Sequence, residues 1–218
     1  MHAQMTRSVP IIKLIPQRKM VLHAIPACFY PKPPVSTETN FWIEIFSERL
    51  TPMKSEELDI AVSGRYWVGE KGSIFTSVRN VSTFAKKEVQ FSIYSFGRKI
   101  TEFTYLLNDL LEKNIKVQII VNKFNNQPVG AKKILSQLKY IHDNLTILDF
   151  NPSSKFEDLH AKIIVVDRNW ALIGSSNVSW HGYVSNHELA VIIRGEIAEQ
   201  IAGLLDKLAK SSDTNLVK

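Results

Sequence analysis

Three things are scarce in this 218-residue sequence: cysteine, long apolar runs and, over residues 1–37, acidic side chains. Cys28 is the only cysteine, so no disulfide can form within the chain and no cysteine-based zinc site is present. No stretch approaches the roughly 20 apolar residues that a membrane-spanning helix needs. These absences favour a reducing compartment, and we expect a cytoplasmic protein without stable membrane association.

The positive charge of the chain is concentrated near its N-terminus. Residues 1–37 contain five basic residues and no acidic one, whereas residues 38–218 contain 22 basic and 21 acidic residues. The net charge of +6 therefore lies mainly in this arm, which could follow the phosphates of a nucleic acid. A solvated or strand-forming extension is the alternative. Because residues 31–40 are rich in proline and polar side chains, we predict a basic extension and linker over residues 1–40.

The hydrophobic pattern predicts one domain over residues 41–211 and a short C-terminal tail at 212–218. Residues 41–75 are weakly patterned, with candidate strands at 41–46 and 65–68. Beyond them, apolar residues recur with the periods of helices and strands. The predicted helices lie near 78–85, 100–111, 134–141 and 197–208, and the predicted strands at 89–94, 117–121, 146–150, 159–166, 170–174 and 187–193.

This order of elements predicts a mixed sheet covered by helices. Strands that are joined by helices favour parallel pairing, with the crossing helices packed on the sheet. The later tight turns, such as the one at 167–169, favour antiparallel pairs instead. We therefore predict an α/β fold with a mixed β-sheet flanked by helices.

The most informative segment is the apolar run 159–167, which contains the pattern H-x-K-x4-D. The three residues of the pattern are His160, Lys162 and Asp167. Because side chains alternate between the faces of a strand, His160 and Lys162 would share one face, about 6–7 Å apart at the backbone. A potential nucleophile would thus lie beside a fixed cation, at a spacing that suits one phosphate.

Three polar residues follow the pattern. They are Ser175, Asn177 and Glu188, at 15, 17 and 28 positions beyond His160. Together with the pattern they resemble the phospholipase D superfamily, and the spacings are similar to those of its small bacterial nucleases. The resemblance covers roughly residues 76–211 and implies a phospholipase D-like half-domain with phosphodiesterase activity.

The candidate catalytic residues can be given roles from their chemistry. A neutral His160 can attack phosphorus and form a covalent intermediate. Lys162 supplies fixed positive charge, and Ser175 and Asn177 supply hydrogen-bond donors. Glu188 could orient a histidine by accepting from its second ring nitrogen. Since lysine provides the positive charge, we expect neither a metal ion nor a cofactor.

Other residues near the pattern have less certain roles. Asp167 is a further candidate catalytic residue, but it stands where aspartate commonly stabilises a turn, so a purely structural role is the alternative. Tyr94 and Ser95, at the end of a predicted strand, are candidate substrate contacts. Trp180, on the loop after Asn177, could stack on a base, and packing against the protein is its alternative.

One histidine cannot bond to phosphorus and protonate the leaving group at the same time. The family resolves this with two copies of the motif that face each other, whereas this chain has one copy. A two-fold homodimer would bring two half-sites together. One His160 would be the nucleophile, and its mate would be the general acid and later the base that activates water.

Three functions remain open from the sequence. The first is a metal-independent nuclease, with DNA favoured over RNA, because of the spacing and the basic arm. The second is a phospholipid phosphodiesterase of the phospholipase D type, which has the same chemistry and a different substrate cleft. The third is a nucleic-acid-binding module that has lost catalysis.

Overall fold

The computed structural model describes residues 58–67 and 73–217, and all structural statements concern this part of the chain. The predicted extension at 1–40 and the candidate strand at 41–46 lie outside it. The elements in chain order are β1 (Leu58–Val62), α1 (Ile74–Thr83), β2 (Glu88–Ile93), α2 (Thr101–Glu112), β3 (Lys116–Asn122), a 3₁₀ turn (Phe124–Asn126), α3 (Val129–Ile141), β4 (Leu145–Phe150), β5 (Lys162–Val166), β6 (Trp170–Gly174), a π-helical turn (His181–Ser185), β7 (Leu189–Arg194), α4 (Glu196–Ala209) and β8 (Thr214–Leu216).

In the described part of the chain, eight strands form one sheet in the order β1-β7-β6-β5-β2-β3-β4-β8. The strands β2, β3 and β4 are parallel to one another, and helices connect them. The other five neighbouring pairs are antiparallel, and in two of them, β5–β6 and β6–β7, the strands follow each other directly in the chain. The predicted α/β fold with a mixed sheet flanked by helices is confirmed.

Both faces of the sheet are covered by helices. Along β5, Ile164 and Val166 join the larger core, which is completed by α1, α2 and α3. The intervening Val165 joins a smaller core under α4. Burial on both faces explains why this strand has a continuous apolar sequence instead of an alternating one. No helix within 58–67 or 73–217 combines the length and the apolar character needed to cross a membrane.

The structure differs from the sequence-based expectations at several element boundaries. The candidate strand at 65–68 is wrong, since residues 65–67 form a turn, and the first described strand is β1 at Leu58–Val62. The short edge strand β8 lies within the predicted C-terminal tail, where three residues pair with β4. β5 begins only at Lys162, and β7 begins only at Leu189. His160 and Glu188 therefore occupy the loops that lead into these strands.

Candidate active site

The sheet topology brings four chain segments together at one edge of the sheet, namely the edge formed by the ends of β2 and β6 and the starts of β5 and β7. In the antiparallel pair of β2 and β5, Ser92 lies opposite Ile163, so the end of β2 meets the start of β5. The hairpin of β5 and β6 places Gly174 opposite Lys162, and β7 begins beside the same glycine. The segments after β2, before β5, after β6 and before β7 consequently converge, although up to 94 residues separate them from Tyr94 to Glu188.

The His160 and Lys162 side chains meet at this edge. The Lys162 Nζ lies 3.1 Å from Nδ1 and 3.2 Å from Nε2 of the His160 ring. It also donates a hydrogen bond of 2.8 Å to the His160 carbonyl oxygen. Although His160 precedes the strand, the predicted proximity of an imidazole and an ammonium group is thus present. The His160 ring is exposed and can be approached by a substrate.

Tyr94 packs against both of these side chains. Its ring centroid lies 4.4 Å from that of His160 in an edge-on arrangement. The Lys162 Nζ lies 4.8 Å from the same Tyr94 centroid, within the range of a cation–π contact. The aromatic ring therefore limits where the imidazole and the ammonium group can move. Ser95 is half-buried directly after Tyr94, and its substrate contact stays a prediction.

The ammonium group of Lys162 is in an environment that only partly favours its charge. Burial lowers the pKa of Lys162 below its ordinary value, while the nearby charge of Glu188 opposes that shift. A lysine so placed loses its proton more easily than a solvated one. In its protonated form it presents positive charge to an anion beside His160.

Ser175 and Glu188 form a second pair at the site. The Ser175 hydroxyl donates to one carboxylate oxygen of Glu188, and Asn186 donates to the other at 3.2 Å. The hydrogen bonds described for the Glu188 carboxylate thus come from these two residues, and its predicted role in orienting a histidine stays a proposal. The negative charge of Glu188 nevertheless acts to raise the pKa of Lys162.

Asn177 lies beneath the same edge. It lines a cavity of about 30 Å³ together with Lys162, Ser92 and Tyr183. Its Oδ1 atom is buried, and no described group donates a hydrogen bond to it. Such an unpaired acceptor is destabilising by roughly 1–3 kcal/mol, and groups of this kind are found at functional sites.

The backbone of Asn177 is held by close packing. A Cβ atom on Gly182 would lie 2.4 Å from the Asn177 carbonyl oxygen, so the π-helical turn rests directly on this loop. Trp180 is half-buried just before that turn. Its predicted stacking on a base remains a prediction.

Asp167 does not belong to this cluster. It follows the last residue of β5, about 16 Å along the strand from Lys162. Its carboxylate accepts hydrogen bonds of 2.7, 2.9 and 2.9 Å from the backbone N–H groups of Lys86, Lys87 and Glu88. The catalytic assignment is therefore corrected to the structural alternative: Asp167 ties the β5–β6 turn to the start of β2.

Two buried amides that the sequence did not reveal hold the site loops together. Asn122 accepts from the backbone N–H of Leu159 at 2.9 Å and donates to Asp158 at 3.0 Å. Gln127 donates to the carbonyl of Tyr94 at 3.1 Å and accepts from the N–H of Phe96 at 3.0 Å.

A further hydrogen bond joins the two amides, since Gln127 also donates to the carbonyl of Asn122 at 2.7 Å. The resulting Asn122–Gln127 network fixes the segments on both sides of the His160–Tyr94 contact. No spacing rule links Asn122 to His160, and only its position at the end of a strand could have suggested it.

Asp158 adds negative charge beside the histidine. A hydrogen bond from Lys123 lowers the pKa of Asp158 most, followed by one from Asn122, and the charge of His160 contributes further. The carboxylate is thus ionised over a wide pH range. In the part of the chain that the structure describes, no group of three or more histidine, cysteine, aspartate or glutamate side chains is placed to hold a metal ion.

The sequence matches a known family over most of the described domain. A family model described as "Cardiolipin synthase, PLD-like domain" matches residues 82–210, which is more than half of the chain. The chain therefore belongs to the phospholipase D superfamily of phosphodiesterases. A curated relative, the DISARM protein DrmC of Bacillus paralicheniformis, is 33% identical over 69 residues. That match covers 32% of this chain and 29% of the relative.

Solved structures share the fold at low sequence identity. Nuc of Salmonella typhimurium, a phospholipase D family member, has a TM-score of 0.58 and 20% identity over 74% of this chain and 97% of its own. NucT of Helicobacter pylori has a TM-score of 0.56 and 19% identity over 71% and 98%. Phosphatidylserine synthase of Haemophilus influenzae has a TM-score of 0.57 and 14% identity over 74% and 40%.

Proposed function

We propose that this protein is a metal-independent nuclease that cleaves DNA through a covalent phosphohistidine intermediate, in a site completed by a second copy of the chain. The observation that carries the proposal is the contact of the Lys162 ammonium group with the His160 ring at an exposed edge. Nucleophilic attack on a phosphodiester requires two groups, a nucleophile such as an imidazole and a fixed cation.

In the first step, a ring nitrogen of His160 attacks phosphorus. The N–P bond forms as the bond from phosphorus to the leaving oxygen breaks, and the leaving oxygen takes a proton from His160 of the second copy. Lys162 stabilises the negative charge on the non-bridging oxygens. In the second step, the second histidine removes a proton from water, water attacks phosphorus, and the N–P bond breaks to release a phosphate monoester.

Several observations support nucleic acid as the substrate. The motif spacing is typical of the small bacterial nucleases of the superfamily, and the fold is similar to Nuc and NucT along nearly their whole length. The five basic residues in 1–37, with no acidic residue among them, suit a polyanion. A cytoplasmic location, inferred from the single cysteine, would give access to such a substrate.

The proposal is tested by incubating the purified protein with single- and double-stranded DNA and RNA in the presence of EDTA. We expect cleavage of DNA that persists with the chelator and falls at least about a thousandfold in His160→Ala, because removal of a catalytic nucleophile has effects of this size. His142→Ala, a histidine on the loop before β4, is the matched control. Activity that disappears with EDTA, or that survives His160→Ala, would contradict the proposal.

A phospholipid phosphodiester is the second candidate substrate. The likeness to a phosphatidylserine synthase and the cardiolipin synthase description of the family model favour it. Release of headgroup from phospholipid vesicles by the wild type but not by His160→Ala, together with intact oligonucleotides, would support this candidate over the nuclease.

A further inference from the structure

The loop between β4 and β5, residues 151–161, leads directly into His160 and is fixed at both ends. At its start, the Asn151 N–H donates to the Asp213 carbonyl at 2.9 Å, and the next residue is buried. At its end, Leu159 is buried and its N–H is held by Asn122. Both ends of the loop are thereby anchored, and its C-terminal end adjoins His160.

The middle of this loop presents an aromatic ring to solvent. Ser154 shapes a tight turn, since its hydroxyl accepts from the Phe156 N–H and its carbonyl accepts from the Glu157 N–H, both at 3.3 Å. The Phe156 side chain is 89% exposed. The Lys155 Nζ lies 5.7 Å from its ring centroid, so a cation accompanies the exposed ring.

The distance from this ring to the nucleophile is limited by the chain. His160 lies four positions after Phe156, so their Cα atoms are at most about 14 Å apart. A polynucleotide with a phosphate at His160 therefore has nearby nucleotides within reach of the ring. Exposed aromatic rings beside basic side chains are the usual means of binding single-stranded nucleic acid, because every base has a face on which a ring can stack.

We propose that Phe156 and Lys155 form a binding site for a nucleotide next to the scissile phosphate, with the ring stacked on its base and the ammonium group paired with its phosphate. The inference rests on the proposed nuclease function and narrows its substrate. Because the face of a paired base is covered by its neighbours, the preferred substrate is a single strand or a single-stranded segment of a duplex.

The chain offers a matched control for this ring. Tyr140, near the end of α3, is 92% exposed and lies close to the start of β4, at the edge of the sheet opposite His160. Isolated exposed aromatic residues are common on protein surfaces and need no function. Phe156→Ala is therefore compared with Tyr140→Ala, which removes an equally exposed ring far from the site.

The experiment measures KM and kcat on a single-stranded oligonucleotide and on the same oligonucleotide with abasic positions on both sides of the cleavage point. We expect Phe156→Ala to raise KM roughly five- to a hundredfold on the strand with bases, as loss of one stacked base does. The ratio of the KM of Phe156→Ala to that of the wild type should be at least about fivefold smaller on the abasic strand. Phe156→Trp should retain the low KM of the wild type on the strand with bases. Lys155→Ala should raise KM on both strands, because it acts on a phosphate.

Three results would overturn the inference. The first is a KM in Phe156→Ala that matches Tyr140→Ala. The second is an equal loss on the strand with bases and on the abasic strand. The third is loss of binding to anionic phospholipid vesicles in Phe156→Ala with an unchanged KM for the oligonucleotide, since that would show the ring entering a membrane surface.

A wild-type protein that cleaves no oligonucleotide would contradict the nuclease proposal instead. In that case, fluorescence anisotropy with the same two labelled strands measures the affinity. Stronger binding of the strand with bases by the wild type but not by Phe156→Ala supports the stacking site, and equal binding by both proteins contradicts it.

Discussion

At the scale of single residues, the proposed mechanism depends on the charge of Lys162. Its ammonium group contacts the His160 ring and a backbone carbonyl, and the Tyr94 ring covers it from one side. The proximity of these groups keeps the imidazole next to a cation. The proposed attack requires the neutral form of the imidazole, because only that form can act as a nucleophile.

The lowered pKa of Lys162 predicts the alkaline side of the pH–rate profile. The charged form is required and exists below its pKa, so a lowered pKa means that activity falls at a pH below the ordinary value of 10.5. We expect kcat/KM to decline there in the wild type. In Lys162→Arg, which keeps its charge above pH 12, the decline should vanish from the accessible range while the maximum rate is lower.

A profile for Lys162→Arg with the same alkaline decline as the wild type would contradict this assignment, since the titrating group would then be another residue. Lys139→Arg, on the last turn of α3, is the control for a general effect of the exchange.

The sequence predicts the residues that the proposed chemistry requires but not those that hold them in place. His160, Lys162, Ser175 and Glu188 could be found because their spacing within one stretch is fixed by consecutive antiparallel strands. Asn122 accepts a hydrogen bond from Leu159, which lies 37 positions further along the chain. Asn122 ends β3 and Leu159 precedes β5, so the packing of two strands that are distant in sequence brings them together. Such a pairing has no signature in a single sequence. Asp167 matched the pattern in position, yet its role became clear only from the three N–H groups that it binds.

At the scale of elements, the turn between β5 and β6 depends on Asp167. Asp167 and Arg168 have φ angles of 50° and 56°, and the Asn169 N–H donates to the Val166 carbonyl at 3.0 Å, as in a two-residue hairpin turn of type I′. Such positions favour glycine, asparagine or aspartate, so Arg168 is the less usual residue of the two. The hydrogen bonds of the Asp167 carboxylate offset the backbone strain.

We expect Asp167→Ala to lower the free energy of unfolding by roughly 2–3 kcal/mol, because three backbone N–H groups lose a charged acceptor. Urea denaturation measures this loss, and Asp143→Ala, an exposed acid on another loop, should change stability by less than about 0.5 kcal/mol. At a temperature where the variant is folded, its kcat should stay close to that of the wild type. A large fall in kcat without loss of stability would restore a catalytic role.

The Asn122–Gln127 network makes a second prediction for the elements around the site. In Asn122→Ala, the buried Leu159 N–H loses its acceptor, and the segment that carries His160 is free to shift. We expect kcat to fall about ten- to a hundredfold with little change in KM, since small displacements of a catalytic group have effects of this size.

Asn126→Ala, an exposed asparagine four residues further on, is the matched control and should retain the wild-type kcat. If Asn122→Ala loses stability but keeps its kcat, the network serves folding alone and has no positioning role.

The parallel strands were predictable because apolar residues recur with strand periodicity at 89, 91 and 93, at 117 and 119–121, and at 145, 147 and 148. The two edge strands, β1 and β8, were not predictable from the sequence. In β1, the apolar Leu58 and Ile60 are 61% and 37% exposed, so burial does not account for their alternation. The strand is instead defined by its pairing with β7. β8 has only three residues, which is too short for any periodicity. Its pairing with β4 depends on where α4 ends.

At the scale of the whole molecule, the proposed chemistry needs two histidines in one site, whereas one histidine, His160, contacts Lys162 in the described part of the chain. A symmetric pair of chains would give one composite site per dimer. Mixing wild-type and His160→Ala subunits tests this directly. If both histidines are needed, an equal mixture that has been unfolded and refolded together should have about a quarter of the wild-type activity, because only dimers of two wild-type subunits are active.

About half of the wild-type activity in that mixture would instead indicate that each subunit works alone. A mixture of wild type with Tyr140→Ala, treated in the same way, should keep full activity and controls for losses during refolding.

The central claim, that His160 becomes covalently attached to phosphorus, is tested most directly by trapping the intermediate. Wild-type protein in excess is mixed with a single-stranded oligonucleotide, denatured at alkaline pH within the time of one turnover, and analysed by mass spectrometry. We expect one product strand to be bound through phosphate to the peptide that contains His160, with a bond that is stable to alkali and cleaved by acid. Cleavage that proceeds with no such adduct, or an adduct on any other residue, would contradict the account.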